Sequence, residues 1–166
     1  YKKRDYYLHI AIAPMKNIKR VEWFVEKAVE IGVDEISFVL GARSERKYIK
    51  LDRLHKISIS AIKQSKQAFL PTINKMRNFS SFISDISEVT KLIADTNQGL
   101  NNASEHINSE QSTCILIGPE GGFDQTETNL LSNYQNIVSV KLNDNVLRSE
   151  TAAIAAVSIL QASFKR

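Results

Sequence analysis

The sequence has one cysteine, three prolines and a single tryptophan among 166 residues, and these scarcities exclude several classes of protein. A lone Cys114 cannot form a disulfide within one chain, so a hydrophobic core rather than a disulfide framework must hold the fold. No apolar run approaches the roughly 18 residues of a transmembrane helix. The first residues of the sequence, in which apolar and polar residues alternate, also lack a clear signal-peptide cleavage site. We therefore expect a cytoplasmic protein with no membrane partner.

Positive charge is concentrated in one part of the chain. The net charge is only +4, but residues 41–80 contain ten Lys or Arg against two Asp or Glu. Clustered positive charge attracts phosphate backbones because it displaces their condensed counterions. A solvated helix face explains such a run as well, and the charge alone favours that plainer interpretation.

The hydrophobic pattern predicts strands that alternate with helices. This alternation indicates an α/β fold with a mostly parallel sheet flanked by helices, and a single domain over residues 1–166. Strands are expected at 6–13, 35–40, 72–76, 91–95, 113–117 and 137–142, and helices at 17–31, 52–70, 80–86, from 124, and at 150–164. The expected capping residues are Asn17, Asp52 and the pair Asp124 and Glu127. Gly32 and Pro71 are expected to end the first two helices.

Two polar loops each follow a predicted strand, and ligands of open α/β sheets bind at the carboxyl ends of strands. The first, IGPEGGF at 117–123, has glycines that allow close backbone approach to a ligand. It matches neither a P-loop nor a dinucleotide fingerprint, and it offers Glu120 rather than a cation, which suits a neutral or cationic ligand. The second loop, 142–152, contains Arg148, and Ser149 or Thr151 is expected to cap the helix that follows.

The runs ILIGPEGGF (115–123) and VKLNDNVLRSETAAIAA (140–156) resemble the SPOUT methyltransferases, whose α/β fold is tied into a C-terminal trefoil knot. Within that group, the chain is most similar to the 16S ribosomal RNA uracil-N3 methyltransferase family. Segments 21–36, 42–46 and 61–65 are similar too, so the resemblance covers essentially the whole chain. The N-terminal β-barrel RNA-binding domain of that family is absent from this chain, and we expect it upstream.

The resemblance implies S-adenosylmethionine as cofactor. No metal is expected, because no cluster of His, Cys and carboxylate residues in the sequence suggests one. The implied cofactor-binding residues are Ala94, Ile117, Gly118, Gly121, Gly122, Leu142, Asn143, Val146, Leu147, Thr151 and Ala152, and Asp95 is expected beside Ala94. Asn143 stands where the family usually has Gly, and we expect it to keep the turn because Asn tolerates the left-handed region. Asn145 stands where a basic residue is common.

The implied reaction is methyl transfer to N3 of a uridine in 16S ribosomal RNA of the small ribosomal subunit. N3 carries a proton, so either a base or a cation that stabilises the uracil anion is needed. Arg148 is the candidate cation. Glu120 and Glu150 are candidate bases, although we favour Glu150 as a residue that orients Arg148.

The resemblance also implies two partners, the ribosomal RNA and a second copy of the chain. The candidate RNA-binding residues are Arg43, Arg46, Lys47, Lys63 and Lys66. The terminal helix is expected at a homodimer interface, and Trp23 and Phe24 are expected in the core or at that interface.

Two alternative functions stay open at this point. A knotted ribose 2′-O-methyltransferase has similar loops, although the run LRSETA favours the uracil enzyme. A non-catalytic RNA-binding module would use the basic block equally well, although the glycine loop and Arg148 favour an enzyme.

Overall fold

The computed structural model describes residues 4–94, 101–106 and 111–164, which form an eight-stranded sheet with helices on both faces. Every described strand pair is parallel, as the alternating pattern predicts. The strand order is β3-β2-β1-β7-β5-β8-β6, with β4 pairing to β2. The strands are β1 (Tyr7–Ile12), β2 (Glu35–Leu40), β3 (Thr72–Ile73), β4 (Arg77–Asn78), β5 (Thr90–Ala94), β6 (Asn101–Asn102), β7 (Ser112–Ile117) and β8 (Ile137–Lys141).

Five α-helices cover the two faces of the sheet, in the part of the chain that the structure describes. They are α1 (Ile18–Ile31), α2 (Leu51–Gln64), α3 (Phe79–Asp85), α4 (Gln125–Ser132) and α5 (Ser149–Ser163), and a 3-10 helix spans Ala103–His106. The apolar sides of α1, α2 and α5 pack on one face, against alternate residues such as Ile10 and Ile115. The other face, with Ala11 and Leu116, is covered by α3 and α4. The period-two alternation of β1 and β7 therefore separates two cores.

The helix signals were partly right. Asn17 caps α1 and the left-handed Gly32 ends it, as predicted, and the apolar side of this helix is buried. Asp124 and Glu127 form the expected capping box of α4. The predicted helix α2 is present, but its predicted ends were wrong, because it begins at Leu51 after Lys50 and ends at Gln64, well before Pro71. Lys66 takes a positive φ of 55° there, so a local turn rather than the proline ends the helix.

Three strands bring polar loops to one edge of the sheet. Ala94 at the end of β5 lies in register with Ile117 at the end of β7 and with Val140 near the end of β8. Both motif loops therefore leave the sheet beside each other, at its carboxyl edge. The trefoil knot that the resemblance implies stays a prediction. Among the described helices, none is long and apolar enough to cross a membrane.

Candidate functional site

A cleft of about 430 Å³ opens at this edge, between the loop after β7 and the loop after β8. We call it the glycine-walled cleft. Ten of the predicted cofactor-binding residues line this cleft: Ala94, Ile117, Gly118, Gly121, Gly122, Leu142, Asn143, Val146, Leu147 and Ala152. The exception, Thr151, is exposed and lines a different depression between α1 and α5. Asp95 lies outside the described residues. Apolar walls with free backbone groups suit a flat, neutral ligand.

The first loop owes its shape to glycine at two positions. A Cβ on Gly118 would lie 2.9 Å from Cζ of Phe123, so the ring packs directly on the bare backbone. Gly122 has a φ of 73°, in the left-handed region that side chains rarely adopt. The Ser149 hydroxyl, at the start of α5, donates to the Gly118 carbonyl at 3.4 Å and joins the two loops.

The loop at 41–50 also reaches the glycine-walled cleft. Arg43 lines the cleft, and its guanidinium donates to the Gly121 carbonyl at 2.5 Å. The buried Glu127 carboxylate accepts the Ala42 N–H at 2.7 Å and the Asp124 N–H at 2.9 Å. Glu127 therefore completes the capping box of α4 and also holds the loop at 41–50 against this helix. The first loop carries no cation of its own, but the fold supplies one from about 80 residues upstream.

The second loop keeps its turn by a different means from the one expected. Asn143 is not left-handed, since Lys66 is the one non-glycine residue with positive φ among those described. Instead, its side-chain oxygen accepts the Asn145 N–H at 2.9 Å, which is a side-chain mimic of a backbone turn. Val146 follows with 86% of its surface exposed at the cleft, so its apolar side chain is available to a ligand.

The structure corrects the predicted role of Glu150. Its carboxylate is buried and is held by Arg20 of α1, with Nε–Oε1 at 2.5 Å and Nη2–Oε2 at 2.7 Å. Arg20 also binds Glu120 at 2.8 Å, so one guanidinium links both candidate bases. The hydrogen bond to Glu150 is the main cause that raises the pKa of Arg20 above its ordinary value. Glu150 does not orient Arg148, and no sequence signal near position 150 pointed to a residue 130 positions away.

Arg148 itself is the residue before the first turn of α5 and is exposed. Its guanidinium forms no ion pair with a described residue and stands outside the cleft lining. Neither Ser149 nor Thr151 caps this helix, contrary to the prediction, because Arg148 occupies that position without a side-chain hydrogen bond. Of the three candidate catalytic residues, only Glu120 lines the glycine-walled cleft.

The candidate RNA-binding residues are split between opposite edges of the sheet. Lys47 follows β2 and lies near the carboxyl edge, as does Arg43. Lys63 and Lys66 lie at the far end of α2, and Lys66 borders a depression shared with Gly32 at the end of α1. Because α2 has 14 residues, this end lies roughly 20 Å from its beginning.

Arg46 is engaged within the fold. Its guanidinium donates to the backbone carbonyls of Met15 at 3.0 Å and of Lys16 at 2.5 Å. It thereby fastens the loop at 41–50 to the chain after β1.

A buried polar cluster lies away from both loops, and no sequence pattern pointed to it. His9, Glu88 and Cys114 offer one potential metal ligand each, with the ligand atoms within 4.8 Å of one another. His9 already uses both ring nitrogens, Nδ1 toward Glu88 and Nε2 toward the Ser37 hydroxyl at 2.7 Å. Burial raises the pKa of the Cys114 thiol well above its ordinary value, which disfavours the thiolate that a metal needs. The contacts therefore describe a structural network.

Comparison with known proteins gives matches over nearly the whole chain. A family model described as an RNA methyltransferase domain matches residues 2–161. The ribosomal RNA small subunit methyltransferase E of Rickettsia conorii is 30% identical over 154 residues, which are 91% of this chain and 62% of that protein. The chain thus spans less than two thirds of the length of this curated relative.

Two solved structures share the fold closely. A crystal structure described as a probable rRNA-methyltransferase from Porphyromonas gingivalis is 38% identical, with a TM-score of 0.89 over 99% of this chain and 72% of that one. The ribosomal RNA small subunit methyltransferase E of Neisseria gonorrhoeae, bound to S-adenosylmethionine, is 26% identical, with a TM-score of 0.83 over 94% of this chain and 65% of that one.

Proposed function

This chain belongs to the RNA methyltransferase domain family, and we propose that it methylates N3 of a uridine in 16S ribosomal RNA with S-adenosylmethionine as methyl donor. The observation that carries the proposal is the glycine-walled cleft at the carboxyl ends of β5, β7 and β8. The relatives named for small-subunit ribosomal RNA and the neighbour solved with S-adenosylmethionine support the same conclusion.

The cleft fits the proposed cofactor in shape and in charge. Gly118 and Gly121 have no side chain, so the Phe123 ring and the Arg43 side chain pack on their backbone, and Leu142 and Leu147 supply apolar walls. This lining suits an adenine ring, which is flat and neutral. Glu120 is the one carboxylate among the described residues of the lining, and it favours the positive charge of a sulfonium. We assign cofactor binding to the ten lining residues named above and not to Thr151.

We assign the charge chemistry of the reaction to Arg148. When bound, S-adenosylmethionine supplies a methyl group on a positively charged sulfur, which becomes a neutral thioether as the methyl group passes to N3. The guanidinium of Arg148 has no described ion-pair partner and is therefore free to hold an oxygen of the uracil anion. Glu120 remains the candidate acceptor of the N3 proton, because it lies on the cleft wall and Glu150 does not.

Arg20 and Glu150 act in this proposal as positioning residues. Their double hydrogen bond fixes the start of α5 against α1, and the further contact with Glu120 ties in the glycine loop. The Glu150 carboxylate is buried and accepts two hydrogen bonds from Arg20, so it is suited to anchoring α5 rather than to contacting the substrate.

We further propose that two copies of the chain associate through α1 and α5. Trp23 is 45% exposed, and it lines a depression with Lys19, Arg20 and Thr151 where these helices meet. Phe24, its neighbour, is fully buried in the core. Light scattering at micromolar concentration is expected to give twice the mass of the chain, and the mass of one chain would contradict this assembly.

The experiment for the proposed function uses small ribosomal subunits that lack the modification and S-adenosylmethionine with an isotopically labelled methyl group. After reaction, the RNA is digested to nucleosides, and mass spectrometry locates the label on the base or on the ribose. We expect the label on the uracil base at N3. A label on the ribose would instead show a 2′-O-methyltransferase. No labelled product, with the cofactor bound, would favour a non-catalytic RNA-binding module.

A further inference from the structure

A second and larger cleft, of about 690 Å³, lies outside the site described above. It is enclosed by the end of the loop at 41–50, the first turns of α2 and the residues just before β4. Its lining contains four lysines and an aromatic residue, namely Lys47, Lys50, Lys56, Lys75 and Tyr48. We call this the lysine cleft. Its composition differs from that of the glycine-walled cleft, which suggests a different kind of ligand.

The charges of the lysine cleft are not neutralised within the chain. All four lysines are exposed, and none forms an ion pair with a described residue. The fifth cation of the lining, Arg53, is paired with Glu22 at 3.1 Å and therefore adds little net charge. Asp52 is the one carboxylate among the described lining residues. The cleft thus gathers several uncompensated ammonium groups around one space, an arrangement that favours a polyanion.

The position of the lysine cleft connects it with the methylation site. Arg43 contacts the glycine loop, and Lys47 lies only four residues further along the same loop, a distance of at most about 14 Å. Two sets of contacts hold this loop in place, Glu127 to the Ala42 N–H and Arg46 to the carbonyls of residues 15 and 16. An RNA whose reacting nucleotide lies at the mouth of the glycine-walled cleft is therefore within reach of the lysine cleft.

The aromatic residue indicates which polyanion fits. Tyr48 is 67% exposed on the lining, flanked in sequence by Lys47 and by the buried Ile49. An exposed ring among lysines is the arrangement that binds single-stranded nucleic acid, because unpaired bases stack on the ring while the backbone contacts the cations. N3 of uracil lies on the Watson–Crick edge, so the nucleotide that is methylated must itself be unpaired.

We propose that the lysine cleft binds the phosphate backbone of a single-stranded RNA segment next to the methylated nucleotide, with one base stacked on Tyr48. This inference rests on the proposed function of the neighbouring cleft. It assigns RNA contacts to Lys50, Lys56 and Lys75, which the sequence did not single out, and it separates them from Lys63 and Lys66.

The test compares two matched pairs of substitutions on the same helix region. Lys50→Gln with Lys56→Gln removes two charges from the lysine cleft, whereas Lys63→Gln with Lys66→Gln removes two charges from the opposite end of α2. Binding of a short fluorescent single-stranded oligoribonucleotide is measured by anisotropy at several salt concentrations. We expect the first pair to weaken binding by about tenfold or more and to lower the salt slope by about 1.4, since each phosphate contact contributes about 0.7. The second pair should change affinity by less than about twofold.

Tyr48 gives an independent arm of the test. Tyr48→Phe keeps the ring and should bind the oligoribonucleotide as the unaltered chain does, whereas Tyr48→Ala should lose several-fold in affinity without a change in salt slope. A duplex RNA of the same length should bind more weakly than the single strand. Equal loss in both lysine pairs, no loss in the first pair, or equal binding of the duplex would each overturn the proposal.

Titration with S-adenosylmethionine separates this inference from the proposed function. Neither lysine pair should change the cofactor affinity. If the chain binds the oligoribonucleotide through the lysine cleft but does not bind S-adenosylmethionine, the proposed methyltransferase function fails and the RNA site stands. If the cofactor binds and the first lysine pair leaves RNA affinity unchanged, the RNA site fails and the methyltransferase function stands.

Discussion

The glycine-walled cleft and the lysine cleft are joined by one loop, yet their charges are arranged in opposite ways. In the first, Arg43 is bound to the Gly121 carbonyl and Glu120 is bound to Arg20. In the second, four lysines have no described ion-pair partner. A cavity whose charged groups are bound within the chain suits a neutral ring such as adenine. Unpaired charges of one sign favour the binding of a polyanion. We infer from this difference that the two clefts suit ligands of different charge, as the proposed cofactor and the proposed RNA are.

Removing Arg148, which forms no ion pair with a described residue, should have the largest effect on the reaction. We expect Arg148→Ala to lower the rate of methyl transfer by about 10²–10³-fold, because the developing uracil anion loses its charge partner. Affinity for S-adenosylmethionine should stay within about twofold, since Arg148 lies outside the cleft lining. Single-turnover kinetics and calorimetry measure the two quantities. Arg148→Lys keeps the charge and should retain part of the rate. Equal loss of cofactor affinity and rate would move Arg148 into the cofactor site.

A side chain added in the wall of the glycine-walled cleft should weaken cofactor binding and leave RNA binding unchanged. In Gly118→Val, the new side chain would occupy the position of the Phe123 ring, which lies 2.9 Å from a Cβ there. We expect S-adenosylmethionine affinity to fall by roughly a hundredfold, or about 2.7 kcal/mol, with oligoribonucleotide affinity unchanged. Thr151→Val is the matched control, because Thr151 lies outside the cleft and should tolerate the change. A Thr151→Val variant that loses cofactor affinity to the same extent would contradict the assignment of the cleft.

Arg20 supports only one of the two clefts, and its removal should show this. We expect Arg20→Ala to lower the free energy of unfolding by about 2–3 kcal/mol, because the buried Glu150 carboxylate loses its partner. Cofactor affinity should fall with it, whereas RNA affinity should not. Urea denaturation measures the stability. Glu120→Gln removes the exposed half of the network and should cost at most about 1 kcal/mol. Arg20→Lys should recover part of the loss, and an Arg20→Ala variant as stable as the unaltered chain would refute the anchoring role.

Glu88 lies away from both clefts, so a substitution there should change stability without changing the affinity for either ligand. Burial raises the pKa of Glu88, but the hydrogen bond and charge of His9 outweigh this and hold it below the ordinary value of 4.5. The ionised carboxylate therefore adds stability above about pH 4.5, which is lost as the pH falls through the lowered pKa. We expect Glu88→Gln to cost about 1–2 kcal/mol at neutral pH and to flatten the acid side of the stability profile. Both ligand affinities should be unchanged, and an acid profile as steep as before would exclude this pairing.

Local patterns predicted most of the fold. The apolar face of α1, its ends at Asn17 and Gly32, and the capping box of α4 depend on residues within a few positions of each other. The start of α2 was missed because Asp52 sits inside the first turn, where a carboxylate favours the helix dipole without capping it. Pro71 failed as a helix end because the local turn at Lys66 ends the helix first.

The parts of the site that lie in contiguous loops could be predicted from the sequence. The side-chain contacts between residues distant in sequence could not. The glycine loop and the turn at Asn143 lie in contiguous runs, and the sheet register brings those runs together. The link from Arg20 to Glu150, like that from Arg43 to Gly121, joins residues that are distant in sequence. Nothing in the residues around Arg20 or Arg43 marks these partners, because sequence neighbours do not determine which distant group an arginine contacts. The assignment of Glu150 therefore required the folded chain.

Calorimetric titration of this chain with S-adenosylmethionine, in the absence of RNA, tests the central claim most directly. We expect saturable binding at one site per chain, with affinity lost in Gly118→Val and retained in Lys50→Gln with Lys56→Gln. That result would place the cofactor in the glycine-walled cleft and leave the lysine cleft to the RNA. Absence of binding at saturating ligand, or equal loss in both variants, would contradict the division of the two clefts between the cofactor and an anionic partner.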